Sequence, residues 1–68
     1  MDNLANIRKE RKMTQTEVAE KCNLKLPAYN HYETGRREPN LETLKKIANV
    51  LEVTVDELLK ETDDKDGV

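Results

Sequence analysis

Apolar residues recur along this chain at spacings of three and four, never in strict alternation, so the pattern predicts helices and no strand. Leu4, Ile7 and Arg11 share one stripe, with Arg8 beside it, and mark a first helix running to about Lys12. Asp2 or Asn3 can cap it. Met13 is an apolar link. Thr14 followed by Glu17 three residues later is a capping box, and it opens a second helix over about 15–22, with Val18, Ala19 and Cys22 facing inward. Asn23 tolerates the left-handed conformation and is the expected stop. Leu24 re-enters the core. A third helix is predicted over about 26–34, because Pro27 fits a first turn and Gly35 fits a helix end. Residues 36–39 form a loop. Asn40 caps a fourth helix over about 41–51, whose stripe is Leu41, Leu44, Ile47, Ala48 and Leu51. Glu52 sits at the following turn. Thr54 and Glu57 make a second capping box, Val53 is placed to staple onto Leu58, and a fifth helix follows over about 55–60.

The expected fold is therefore an all-α bundle of five helices over residues 1–61, followed by an acidic, disordered tail at 62–68. Sixty-eight residues allow one domain with a small core. Phe and Trp are absent, so that core draws on Leu, Ile, Val, Ala and two tyrosines. No apolar run is long enough for a membrane span, and the N-terminus lacks a signal-peptide pattern, so a cytoplasmic location is expected. The single cysteine, Cys22, excludes an internal disulfide and a cysteine-rich zinc site and reads as a small buried hydrophobe. His31 has no nearby Cys or second His, so no metal and no cofactor is expected.

The net charge of −2 hides an asymmetry. Residues 1–50 hold ten Lys/Arg against seven Asp/Glu, and residues 51–68 hold two against seven. Salt screens beyond about 10 Å, so the local balance governs phosphate binding, and the body of the domain is mildly basic. On a wheel of about 100° per residue, the third helix divides in two. Ala28, Tyr29 and Tyr32 make a packed face; Leu26, Pro27, Asn30, His31 and Thr34 lie opposite. That exposed face is short and nearly uncharged, so a base edge can approach it. Lys25 at one end and Arg36–Arg37 beyond the other bracket it and suit phosphate contacts.

These features resemble the Cro/lambda-repressor-type helix-turn-helix family, often called the XRE family. The likeness covers residues 3–60 and rests on Leu4-x-x-Ile7-Arg8, Met13-Thr14-Gln15-x-x-Val18-Ala19, and Tyr29-x-x-Tyr32-Glu33-x-Gly35-Arg36-Arg37-x-Pro39. Leu41-Glu42-Thr43-Leu44-x-x-Ile47-Ala48 and Val53-Thr54-Val55-Asp56-Glu57-Leu58-Leu59 complete it in register. The resemblance implies a five-helix domain whose third helix enters the DNA major groove, usually as a homodimer on a pseudo-palindromic site. It implies base contacts from Leu26, Pro27, Asn30 and His31, and phosphate contacts from Thr14, Gln15, Thr34, Arg36, Arg37 and Asn40. Arg8 and Glu33 match a salt bridge that orients the third helix in relatives.

The chain departs from the family pattern at Lys25, where Ser or Thr usually caps the third helix, and at Asn23 and Glu52, where Gly is frequent. Leu26-Pro27 replaces long polar side chains, so thymine methyl contact, Asn30, His31 and DNA shape are left to carry readout. The expected function is a sequence-selective, double-stranded-DNA-binding transcriptional regulator, a repressor, associated with the nucleoid. Val55, Leu58 and Leu59 are candidates for the dimer interface. The alternative is a protein-interaction module on the same fold, antitoxin-like or bridging, which Leu26-Pro27 would favour. An enzyme is not expected: there is no catalytic constellation or glycine-rich phosphate loop, and the domain is too small to enclose a pocket.

Overall fold

A computed structural model describes residues 2–59 as five helices in chain order: α1 (Asp2–Glu10), α2 (Gln15–Lys21), α3 (Leu26–Thr34), α4 (Leu41–Leu51) and α5 (Val55–Leu59). No strand occurs among the described residues. The predicted tail, and the expected last residue of the fifth helix, Lys60, lie outside them.

The predicted starts of α2, α4 and α5 have a local cause in the geometry. Thr14 Oγ1 accepts the Glu17 amide at 3.0 Å while Glu17 Oε1 accepts the Thr14 amide at 2.9 Å, a closed capping box. Thr54 and Glu57 repeat it ahead of α5, at 3.1 Å in both directions. Asn40 Oδ1 accepts the Thr43 amide at 2.8 Å and opens α4. Lys25 makes no side-chain cap for α3, as its side chain has no acceptor, and Pro27 sits in the first turn. Asn3 does not act as a cap for α1. It lies inside the helix, and its Nδ2 donates to the Glu57 carbonyl at 2.7 Å, tying α1 to α5.

The stops share one device. After α1, α2, α3 and α4 the chain passes through a left-handed residue: Lys12 (φ 59°), Asn23 (φ 60°), Gly35 (φ 83°) and Glu52 (φ 62°). In each case the next amide reaches back five residues. Met13 donates to the Arg8 carbonyl (3.2 Å), Leu24 to Ala19 (2.8 Å), Arg36 to His31 (3.0 Å) and Val53 to Ala48 (3.0 Å). This is the Schellman arrangement, which satisfies carbonyls that a helix end leaves open. It explains why α1 stops at Glu10 instead of reaching Lys12: Lys12 is the left-handed residue of the stop. Met13, Leu24 and Val53 then turn back onto the core, whereas the corresponding residue after α3 is the exposed Arg36.

The core consists of Leu4, Ile7, Val18, Ala19, Cys22, Tyr29, Leu44, Ile47, Ala48, Leu51 and Leu58. α2 packs on α3 and α4, α1 on α3 and α5, and α4 on α5. Two sequence assignments change here. Leu41 occupies the first turn of α4, beyond the reach of the core, and is 61% exposed instead of part of the buried stripe. Leu58 is 1% exposed within the single chain, so it is a core residue and has no surface left for a dimer contact. Cys22 is buried, and burial raises its thiol pKa.

Candidate nucleic-acid interface

α3 presents two unlike faces. Tyr29 is fully buried among core side chains, with Tyr32 and Ala28 half-buried beside it. On the other side Leu26, Pro27 and Thr34 are exposed, and Asn30 and His31 are half-buried. The structure thus leaves the four expected base-contacting residues out of the core and on one side of a short helix.

α3 is held at its C-terminal half by polar groups. Arg8 reaches from α1 to Glu33: Nε donates to Oε2 and Nη2 donates to Oε1 at 3.4 Å. The third guanidinium bond, from Nη1 to the Met13 carbonyl at 2.8 Å, fixes the segment just before α2. The side chains of Arg8 and Glu33 are 12% and 5% exposed. One cation therefore sets the entry of α2 and the position of α3 together. Gln15, the first residue of α2, joins the same cluster. Its Nε2 donates to Glu33 Oε1 at 2.8 Å, and its Oε1 accepts from Asn30 Nδ2 at 3.4 Å.

Burial acts to raise the Glu33 pKa, but hydrogen bonds from Arg8 and Gln15, the neighbouring Tyr29 hydroxyl and the Arg8 charge outweigh it, and the carboxyl lies below its ordinary value. Arg8 is raised, first by its bond to Glu33. The Tyr29 phenol is pushed well above its ordinary value by burial, then by the Glu33 carboxylate. Its hydroxyl is buried against this cluster with no partner in hydrogen-bonding geometry among the described residues.

Several of the expected phosphate contacts lie at the ends of α3. Lys25 is exposed at its N-terminal end. Beyond the other end, the amides of Arg36 and Arg37 both fold back onto the His31 carbonyl, at 3.0 and 3.3 Å, leaving their guanidinium side chains exposed. Thr34 Oγ1 donates to the same carbonyl at 3.3 Å. Asn40 Oδ1 is taken up by the α4 cap, so its Nδ2 is the end able to donate. Thr14 Oγ1 accepts in the α2 cap and keeps its own proton for donation.

Glu38 and Pro39 of the loop after α3, with Leu44 and Leu59, line a shallow hollow of about 100 Å³. Leu59 is 56% exposed there, and Val55 is half-buried. Among the described residues, no group of three or more His, Cys, Asp or Glu is placed to hold a metal ion, and no helix is long and apolar enough to cross a membrane.

Residues 4–58 match the family model described as Helix-turn-helix. The chain belongs to this family. Helix-turn-helix relatives include the HTH-type transcriptional regulator YqaE of Bacillus subtilis, 48% identical over 59 residues that make up 87% of this chain and 51% of the relative. The cryptic phage CTXphi transcriptional repressor RstR of Vibrio cholerae is 42% identical over 57 residues, 84% of this chain and 51% of the relative. The immunity repressor protein of Bacillus phage phi105 is 42% identical over 55 residues, 81% of this chain and 38% of the relative. The chain thus spans about half the length, or less, of these curated relatives.

Sequence reasoning paired Arg8 with Glu33 but missed two parts of the cluster: the Arg8 bond to the Met13 carbonyl, and the amide of Gln15 between Glu33 and Asn30. A signal for the second was present. Asn30 and Glu33 are three apart on one helix and so share a face, within reach of one long side chain from α2.

Proposed function

We propose that this chain is a sequence-selective, double-stranded-DNA-binding transcriptional regulator, acting as a repressor, with α3 in the major groove. One observation carries the reading. A short, nearly uncharged face of Leu26, Pro27, Asn30 and His31 stands clear of the core on a helix braced by Arg8 and Glu33, with exposed cations at both ends. Asn30 and His31 read base edges, and Leu26 with Pro27 packs against thymine methyl groups. Thr14, Gln15, Lys25, Thr34, Arg36, Arg37 and Asn40 hold the phosphates on either side and fix the register. Arg8–Glu33 orients α3 on α1.

The protein works as a homodimer on a pseudo-palindromic site, which places two recognition helices about 34 Å apart. Exposed Leu59, which lines the Pro39–Leu44 hollow, and half-buried Val55 are apolar candidates for that contact. The location that follows is the cytoplasm, at the nucleoid. The names of the relatives RstR and the phi105 immunity repressor support repression and favour this reading over a protein-interaction module.

The test is selection of bound duplexes from a random pool. A pseudo-palindromic sequence is expected to be enriched, with half-sites one helical turn apart. A pool that enriches nothing, together with no measurable binding to duplex at low salt, would overturn the proposal.

A further inference from the structure

Three large apolar side chains are exposed among the described residues: Leu26, Leu41 and Leu59. Leu41 and Leu59 belong to α4 and α5, whereas Leu26 opens α3. Leu26 is 41% exposed and is neither a core residue nor one of those packed against the core, so packing does not account for it. Pro27, which follows, is exposed as well. Their chemistry is narrow. A leucine side chain and a pyrrolidine ring present only carbon, and proline lacks the backbone N–H that another residue would carry there. Amides in the first turn of a helix in any case point back along its axis and not sideways. Asn30, the next polar side chain along this face, lies four residues on, about 6 Å along the axis. Its Nδ2 donates to Gln15 Oε1 at 3.4 Å. The N-terminal end of the face can therefore bury a methyl group, but neither Leu26 nor Pro27 can read the hydrogen-bonding edge of the base that bears it.

We propose that Leu26 and Pro27 form a receptor for the 5-methyl group of a pyrimidine, whichever pyrimidine carries it, so that 5-methylcytosine takes the place of thymine and cytosine methylation strengthens binding. This rests on the reading of α3 as the helix in the major groove. Thymine and 5-methylcytosine carry the methyl group on the same ring carbon. They differ at the neighbouring exocyclic group, an acceptor O4 in thymine and a donor N4 in cytosine. A side chain with a hydrogen-bonding end tells those two apart. Leucine and proline do not; they distinguish methyl from hydrogen, and so thymine from uracil and 5-methylcytosine from cytosine. Burial of one such methyl group changes affinity about fourfold. A homodimer that meets the group in both half-sites gains about 15-fold. DNA methylated at that cytosine is then a different ligand from the same sequence without the methyl group.

The test uses the full chain and the selected duplex. Each thymine is replaced singly by uracil, which removes the methyl group and keeps the base pair. One position in each half-site is expected to lose about fourfold in wild type and to lose nothing in Leu26→Ala. That base pair is then changed to cytosine–guanine, with and without the 5-methyl group. Wild type is expected to bind the methylated form about fourfold more tightly, the same factor that separates thymine from uracil, and Leu26→Ala to bind both alike. Each comparison sets one base against itself, so contacts from Lys25 to phosphate cancel.

A second variant, Leu26→Gln, keeps a long side chain and adds a hydrogen-bonding end. It is expected to separate thymine from 5-methylcytosine, which wild type binds within twofold of each other. Three results would each overturn the proposal while leaving duplex selection intact. They are no uracil replacement costing more than twofold, 5-methylcytosine binding no better than cytosine, and a methyl effect that survives in Leu26→Ala. A wild-type chain that selects no duplex overturns the reading of α3 together with the proposal.

Discussion

α3 and α4 lie in one small domain, yet they are held in place by different physics. α4 is a conventional amphipathic helix: Leu44, Ile47, Ala48 and Leu51 are buried in a continuous stripe, and Asn40 caps its start. α3 buries only Tyr29 fully, and its start has no side-chain cap. What fixes α3 is the charge on Arg8, received by Glu33 and shared with Gln15. The difference has a functional sense. On the proposed function, a helix that offers one face to a groove cannot spend that face on a core, so directional polar bonds set its angle instead. Hydrophobic burial sets which face of a helix turns inward but is non-directional, whereas a two-pronged guanidinium–carboxylate contact adds a directional constraint.

The contrast breaks most visibly in the core of α4. Ile47→Ala is expected to destabilise the fold by about 3 kcal/mol, as for other large-to-small changes at fully buried sites. In a domain this small that is a large share of the total, and thermal melting measures it. The protein that remains folded should keep the wild-type order of preference among duplexes, because α4 makes no part of the reading face.

On the α3 side, Glu33→Ala is expected to lower stability by about 2 kcal/mol, since it leaves the part-buried Arg8 without its partner. It should also weaken duplex binding beyond what the fraction folded explains. An unchanged melting temperature would show that the pair does not brace the helix. The same group makes a pH prediction. The folded pKa of Glu33 lies below its ordinary value of 4.5, so its contribution is complete above that value and is lost as pH falls through the folded pKa. Between about pH 6 and about pH 3, wild type should therefore lose stability more steeply than Glu33→Gln, which has no charge to lose. Parallel pH dependences in melting experiments would contradict this.

Smaller effects sharpen the comparison at the helix ends. α3 stops at Gly35, which adopts positive φ without steric penalty, whereas α4 stops at Glu52 with φ 62°. Replacing Glu52 with Gly should stabilise the protein by about 1 kcal/mol, as the relief of the left-handed penalty outweighs the added chain entropy. Chemical denaturation would show this as a higher midpoint with an unchanged slope. The carbonyl of Glu52 also accepts from Arg11 Nη2 at 3.2 Å, a bond the Gly variant retains. The smallest structural effect is expected at exposed Arg36: Arg36→Ala should leave melting unchanged and weaken binding to all duplexes alike. It should reduce the salt dependence of log affinity by about one unit of slope.

The two helices also differ in how much of them could be read from sequence. The start of α4 and both ends of α3 follow from Asn40, Pro27 and Gly35, residues whose backbone chemistry acts locally, and both ranges agree with expectation. Spacing alone did not separate Leu41 from the stripe of α4, because membership of a stripe says nothing about how far along the helix the core extends. Nor did it reveal Lys12 as a left-handed stop, since nothing in the preferences of lysine points there. Leu58 was placed at a dimer surface because an apolar residue near a chain end serves either a core or a partner. On α3, periodicity sorted residues inward and outward correctly for Tyr29 and Leu26. The bonds from Gln15 to Glu33 and Asn30 join α2 to α3, and no local pattern states how two helices are rotated against each other.

The most direct test of the central claim is a map of backbone amide shifts as a selected duplex is titrated into the protein. The account predicts large changes at Thr14 and Gln15, along Leu26, Ala28, Asn30 and His31, and at Thr34, Arg36, Arg37 and Asn40, with the buried stripe of α4 little affected. Changes confined to the surface around Leu41 and Leu59, or none at a saturating duplex concentration, would contradict it.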